Sequence, residues 1–385
     1  MPAMIRPMRA RDPAQHHRPA TQLELFFDLV IVIAIASLTA AFHHAISAGH
    51  GPQMLPNFIF LFLALWWAWM NYTWFSSAFD NDDAVTRALV LVIMAGALIF
   101  AGGIGYIFET LDFSFGIFGW IIMRIGMVSL WLRVARAVPA LRATALRYAC
   151  GISLAQLLWI GLAFAIAPGS TAFFLVGCGL FVLEWSIPPY AERAGATPWH
   201  RDHMIERYGL LTIIVLGEVL LSIAATFGAL FEGRVDGALI VIALSALITV
   251  FAFWWIYFAE TRHLSTGYAR HTFLWGYGHL FIFASLALMG AGLAAYFDLQ
   301  TGHSKASAQS VGWLVGGPLA TALVALWLVR DQFLTLGARG AALPLGAAAI
   351  LIATAFNAGA PVFAALTLAT LLARVPFSPA KGLHP

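Results

Sequence analysis

The amino-acid sequence predicts an all-α fold, a polytopic transmembrane helix bundle of about twelve spans arranged as two parallel six-helix repeats. Three observations point to it. Hydrophobic residues make up 61% of the 385-residue chain and charged ones only 10%, against about 25% charged in an ordinary soluble domain. Apolar runs long enough to cross a bilayer recur along the whole chain. The basic residues fall almost entirely in alternate connections between those runs. So little charge cannot cover a water-facing surface of this size. The 30 Phe and 14 Trp suit a bilayer instead.

A helix needs about 20 apolar residues to cross roughly 30 Å of hydrocarbon. Such runs lie near 24–43, 57–79, 86–108, 115–135, 146–167 and 170–187, then near 207–228, 237–259, 272–297, 310–329, 341–356 and 358–374. The last two are the weakest, because Gly346, Gly359 and Pro361 interrupt them. Arg6, Arg9, Arg11 and Arg18 precede the first run as they would in a signal peptide. That run lasts about twenty residues with no small-residue cleavage site after it, which predicts an uncleaved span. The expected division is a cytoplasmic tail over 1–23, a first repeat over 24–200, a second over 201–376 and a cytoplasmic tail over 377–385. Residues 1–20, rich in Pro, Arg and His, are expected to be mobile.

Loop charge tests the topology independently. With the N-terminus inside, 18 of the 21 Lys and Arg residues fall in inside segments, Arg234 and Lys305 fall outside, and Arg124 lies within a span. This is the bias of the positive-inside rule. One missed or extra span would invert every later loop and destroy it. Both termini are therefore expected in the cytoplasm.

Internal similarity suggests a duplication. Leu-Ala-Leu-Trp-Trp-Ala-Trp at 63–69 resembles Phe-Ala-Phe-Trp-Trp-Ile-Tyr at 251–257, Leu-Trp-Leu at 130–132 recurs at 326–328, and Gly119-Trp120 recurs as Gly312-Trp313. The matches are collinear. Six is even, so the two halves would share orientation as parallel repeats.

Ionisable residues inside spans are expensive and mark function by default. Glu218 lies about ten residues into the seventh predicted span, near the midplane at ~1.5 Å per residue. A carboxylate there must pair, reach water or hold a proton, and each condition suits a proton- or cation-linked site. Gly217 before it allows close helix packing or access to backbone carbonyls. Glu24 and Asp28 share one face of the first helix by their spacing, and a helix N-terminus favours their charge. Asp202 and Glu206 repeat that spacing before the seventh span. Arg124 needs an anion, with Glu218, Asp28 and Glu184 as candidate partners.

The stretch Asp80-Asn81-Asp82-Asp83, followed by Arg87, is acidic on the side where basic residues are expected. It either binds a cation or caps the third helix through Asp82 or Asp83, and it lacks the Gly and terminal Glu of a calcium loop. His43, His44 and His50 cluster on the outer side without the His-Glu-x-x-His pattern, so no metal site is expected. His279, in the ninth predicted span, reads as an interhelical hydrogen-bond donor. Cys150 and Cys178 read as small core residues. The Trp runs read as packing or interface belt. No cofactor motif is present, and the dispersed basic residues give no nucleic-acid patch.

Three motifs carry a family resemblance. Glu24-Leu-Phe-Phe-Asp28 with the apolar run after it resembles the opening signature of the bacterial low temperature requirement A (LtrA) family. Trp66-Trp67 with Phe79-Asp80-x-Asp82-Asp83-x-x-x-Arg87 resembles its second signature, and Glu206-Arg207-Tyr208-Gly209 through Gly217-Glu218 resembles its third, with Tyr208 where the family usually carries Phe. The resemblance implies a multi-pass protein of the bacterial inner membrane and no particular reaction. A second likeness is to twice-repeated six-helix potassium channels whose first helix carries Phe-Ser-Asp. Here the Ser is missing before Asp28.

The function expected is transport or conduction of a small ion or solute through an intramembrane carboxylate. Glu218, Asp28, Glu24 and Arg124 are the first candidates, and Asp80, Asp82, Asp83, Arg87, Glu206, Arg207 and His279 the second. The alternatives are a membrane-embedded enzyme acting on lipid, for which no complete catalytic set is present, and a structural or stress-related protein without transport. Expected partners are membrane lipid, a small cation or proton, and further copies of the chain.

Overall fold

The computed structural model describes residues 6–13, 15, 18–79, 81–231, 237–260 and 269–375. Asp80, Arg234, Arg262 and the 377–385 tail lie outside the described residues. Among the described residues twelve α-helices follow one another: α1 (Gln22–Ser47), α2 (Gly51–Ala78), α3 (Ala84–Thr110), α4 (Ser114–Ala137), α5 (Arg142–Ala165), α6 (Thr171–Glu192), α7 (Arg201–Phe231), α8 (Gly237–Phe258), α9 (Ala269–Gln300), α10 (Ala308–Val329), α11 (Ala342–Ala355) and α12 (Ala360–Arg374). Among the described residues the one β feature is an isolated bridge between Ala10 and Phe79.

Among the described residues, eleven segments are long and apolar enough to cross a membrane. The chain is a multi-pass, all-α membrane protein. The exception is α12, whose 15 residues cover about 22 Å at ~1.5 Å per residue, short of the ~30 Å hydrocarbon layer. Helix α11 reaches spanning length only together with the 3-10 turn Gly337–Ala341 ahead of it. Both fall where Gly and Pro interrupt the apolar pattern.

Local chemistry sets the helix ends. Asp83 starts α3 by accepting the Thr86 N–H, Ser170 starts α6 by accepting that of Phe173, and Ser307 starts α10 by accepting that of Ser310. Each satisfies one of the amides that a helix N-terminus leaves without a partner.

The helices divide into two compact units. Unit 1 comprises Met1–Ala41 and Pro56–Arg207, and unit 2 comprises Phe42–Leu55 and Tyr208–Pro385. Within unit 1, α3 packs on α4, α4 on α5, and α5 on α6. A Cβ on Gly96 would lie 2.7 Å from the Gly119 carbonyl oxygen, and one on Gly119 would lie 2.5 Å from that of Gly96. Only glycine lets the α3 and α4 backbones approach this closely. Phe60 sits among Trp159, Phe173 and Phe181, and Trp131 stacks on Tyr148 with centroids 4.0 Å apart. Within unit 2, α9 packs on α8 and α10, and α11 on α10 and α12. Helix α12 also packs on α8.

Two expectations change. The N-terminal segment, expected to be mobile, is tied to unit 1 where it is described. The Arg11 N–H donates to the Ala78 carbonyl and that of Arg6 to the Asp83 carboxylate, while Arg18 donates to the Ser76 and Ser77 carbonyls. The open carbonyls at the end of α2 draw the guanidinium in. Cys150 and Cys178, expected in the core, are exposed on α5 and α6. In a bilayer the outward face is apolar too, so an apolar run does not tell inside from outside. The Trp runs divide in the same way: Trp66, Trp67 and Trp69 are buried, whereas Trp254 and Trp255 are about half exposed.

Candidate functional site

Asp28 and Arg207 each lie six residues past the start of their helices, α1 and α7. At ~1.5 Å per residue that is about 9 Å in. Both are fully buried. Arg207 Nη2 donates to Asp28 Oδ1 at 2.6 Å and Nε to Oδ2 at 3.0 Å. This is the two-point fork that a guanidinium forms with a carboxylate. Trp69 of α2 adds a third hydrogen bond to Asp28 Oδ1 at 2.7 Å. Thr73 and Ser76 hydroxyls on α2 accept from the remaining Arg207 donors.

One turn nearer the helix start, Glu24 accepts the Thr21 N–H and hydroxyl through Oε2. Its Oε1 lies 3.2 Å from Arg207 Nη1, 3.5 Å from Arg18 Nη2 and 3.1 Å from His203 Nε2. Two carboxylates, Glu24 and Asp28, thus face two guanidiniums, Arg18 and Arg207. The charges balance when His203 is neutral. An unbalanced buried charge costs several kcal/mol, so neutrality is what lets four ionised groups share this interior. Burial brings the Arg18 guanidinium, which precedes α1, down to about 10. Glu206, next to Arg207, accepts the Ala20 N–H at 3.3 Å.

Further ionic groups lie in unit 1. Arg124 pairs with Glu184 at 2.8 Å, and both are buried. Trp67 and Trp159 donate to the Glu184 carboxylate, and the Arg124 guanidinium lies over the Trp120 ring at 4.1 Å. Near the start of α3, Asp83 accepts from Arg133 at 2.6 Å, from the Arg6 N–H at 2.8 Å and from the Thr86 N–H at 2.7 Å. Burial opposes ionisation of Asp83, but these hydrogen bonds prevail and hold it well below the usual carboxylate range. Asp82 pairs with Arg87 at the surface at 2.6 Å and 2.9 Å, and the Arg87 hydrogen bonds lower its carboxyl as well. The Asp83 geometry is that of a helix cap held by an arginine.

In unit 2, Glu218 lies close to the midpoint of the 31-residue α7. It is partly buried, and among the described residues its carboxylate has no hydrogen-bond or ion-pair partner. Gly217 beside it is exposed, and a Cβ there would meet nothing within 4 Å. His279 is buried and donates from Nδ1 to the Trp275 carbonyl at 2.7 Å, within a ring cluster containing Tyr208 and Phe283. Asp331 accepts from Arg330 at 2.6 Å and from Arg374 at 2.5 Å. Arg330 also donates to the Ile256 and Tyr257 carbonyls at the end of α8.

The structure thus joins Asp28, Glu24 and Arg207, and it pairs Arg124 with Glu184 instead of with Asp28 or Glu218. His203, Arg18 and the Asp331 triad are not among the site residues expected from the sequence. The spacing of Arg207 and His203, four residues apart on one face of α7, was the available signal. Among the described residues no group of three or more His, Cys, Asp or Glu is arranged to hold a metal ion. The described pocket in unit 1, of about 40 Å³ and lined by Phe60, Phe100, Trp120, Trp159, Phe173 and Phe181 among others, has wholly apolar walls. It offers nothing to replace an ion's hydration shell.

The family model for the bacterial low temperature requirement A protein matches residues 19–376. An uncharacterized protein of Rhizobium meliloti (strain 1021) is 28% identical over 330 residues, which is 80% of this chain and 76% of that protein.

Proposed function

The chain belongs to the bacterial low temperature requirement A family, and we propose that it moves a small ion or solute across the bacterial inner membrane through an intramembrane carboxylate. The observation that carries this reading is the isolation of Glu218. Asp28, Glu24, Glu184, Arg124 and Arg207 are neutralised by partners within unit 1, and Asp331 holds Arg330 and Arg374 in unit 2. Glu218 alone among these helix-borne charges has no counter-charge among the described residues.

An uncompensated carboxylate halfway along a spanning helix is stable only when it reaches water, holds a proton or binds a cation. Each of these conditions, beside an open Gly217, suits an ion-linked step. The one-sided distribution of basic residues supports cytoplasmic termini. The two six-helix halves anticipated from the internal similarity fit a carrier built from parallel repeats.

Flux assays in proteoliposomes test the reading. Protein reconstituted with a panel of monovalent cations and a pH-sensitive dye inside should show flux of at least one of them, and Glu218→Gln should abolish it. Absence of flux for every cation and for protons would sink the proposal.

A further inference from the structure

The Glu24–His203 contact holds chemistry that the ion pairs around it do not use. His203 is fully buried in the first turn of α7, and neither ring nitrogen has an aligned hydrogen bond. Its Nε2 nevertheless lies 3.1 Å from Glu24 Oε1. A bare imidazole nitrogen and a carboxylate oxygen cannot approach this closely with lone pairs face to face. A proton must lie between them, which assigns the neutral ring as the Nε2–H tautomer. Nδ1 then carries the lone pair, buried and without a partner.

His200, one turn earlier, is differently used. Its Nε2 lies 2.7 Å from the Gln15 carbonyl and so donates, and its Nδ1 accepts the His203 N–H. It caps α7, and both of its ring nitrogens have hydrogen-bond partners. The base left open in the cluster is His203 Nδ1.

We propose that His203 is a proton-binding site, distinct from Glu218, with Glu24 as its fixed counter-ion and the proton as its ligand. On uptake an O–H bond of hydronium breaks and an N–H bond forms at Nδ1. The ring takes the positive charge, and water leaves. The groups that face the ring are Glu24 of α1, Arg207 of α7 and Arg18 of the N-terminal segment, with Tyr72 of α2 and Arg11 beyond them. The neutral cluster then becomes singly positive, and Glu24 is shared among three cations. The grip of Arg18 and Arg207 on Glu24 loosens. Arg18 also ties the N-terminal segment to α2, so proton uptake at His203 weakens the hold of that segment on unit 1.

The test uses the full chain in micelles with 15N-labelled histidine, titrated from alkaline to acid pH. His203→Gln identifies the His203 signals by their loss. The expected result is an Nε2–H tautomer at alkaline pH that converts to imidazolium on acidification, with the transition moved about one pH unit lower in Glu24→Gln as the counter-ion is lost. Should Glu24→Gln fail to fold, the shorter carboxylate of Glu24→Asp retracts from the ring and should move the transition the same way. A His203 signal that never changes, or one that titrates identically with and without the Glu24 carboxylate, overturns the assignment. The readout needs no transport assay, so it fails or succeeds separately from the role of Glu218.

Discussion

Arg207 and Asp28, 179 residues apart in the chain, meet through two parallel hydrogen bonds of 2.6 Å and 3.0 Å at a point where neither side chain reaches solvent. This contact joins the first helix to the seventh within unit 1, and it brings together the first and third sequence signatures.

Removing one member should therefore be costly. Arg207→Ala leaves Asp28 charged and unpaired, and is expected to lower stability by about 3–5 kcal/mol. Arg207→Lys should restore little of it, because a point charge cannot make the two-point contact. Thermal melting in detergent checks both. A double variant, Arg207→Met with Asp28→Leu, should melt nearer to the wild type than either single change, since no charge is left stranded.

Much of this was legible in the sequence, and the reason it was incomplete is physical. The spacing of Glu24 and Asp28 put them on one face, and apolar composition with loop charge sufficed for a multi-pass helical fold. Partners were not legible. Arg124 had three candidate anions, and only the packing of α4, α5 and α6 selects Glu184. The apolar run that marks the seventh span begins near 207 and leaves Arg207 among the loop charges; the helix begins at Arg201 and carries Arg207 inside. Cys150 misled because apolar sequence looks alike toward lipid and toward core.

The Asp83 cap gives a pH-dependent prediction. Its carboxyl titrates below the usual range in the folded chain, so its contribution is complete above the unfolded value of about 3.9 and is lost as pH falls through the lower folded value. Asp83→Ala should cost about 0.5–2 kcal/mol at neutral pH from loss of the cap, with Arg133 also left without its carboxylate. The difference in melting temperature between this variant and the wild type should persist down to pH 4 and shrink only in stronger acid.

In unit 2, Asp331 is the one anion between Arg330 and Arg374 among the described residues. Asp331→Asn should strand two buried guanidiniums and destabilise by about 3–5 kcal/mol. Adding Arg374→Met should recover part of the loss. Chemical denaturation of Asp331→Asn, Arg374→Met and the double variant measures the coupling, and additive effects would contradict the shared contact.

A hydrophobic carbodiimide, which attacks protonated carboxyls in apolar surroundings, should label Glu218 and leave Asp28, Glu24 and Glu184 unmodified. Peptide mapping by mass spectrometry reads this directly. Labelling spread evenly over all four would contradict the difference between the unpaired and the paired carboxylates.

The most direct measurement compares ion flux and melting temperature for the wild type and Glu218→Gln in the same reconstituted preparations. Because the Glu218 carboxylate has no partner among the described residues to lose, the account predicts unchanged melting with flux abolished. Undiminished flux through a stably folded Glu218→Gln protein would contradict it.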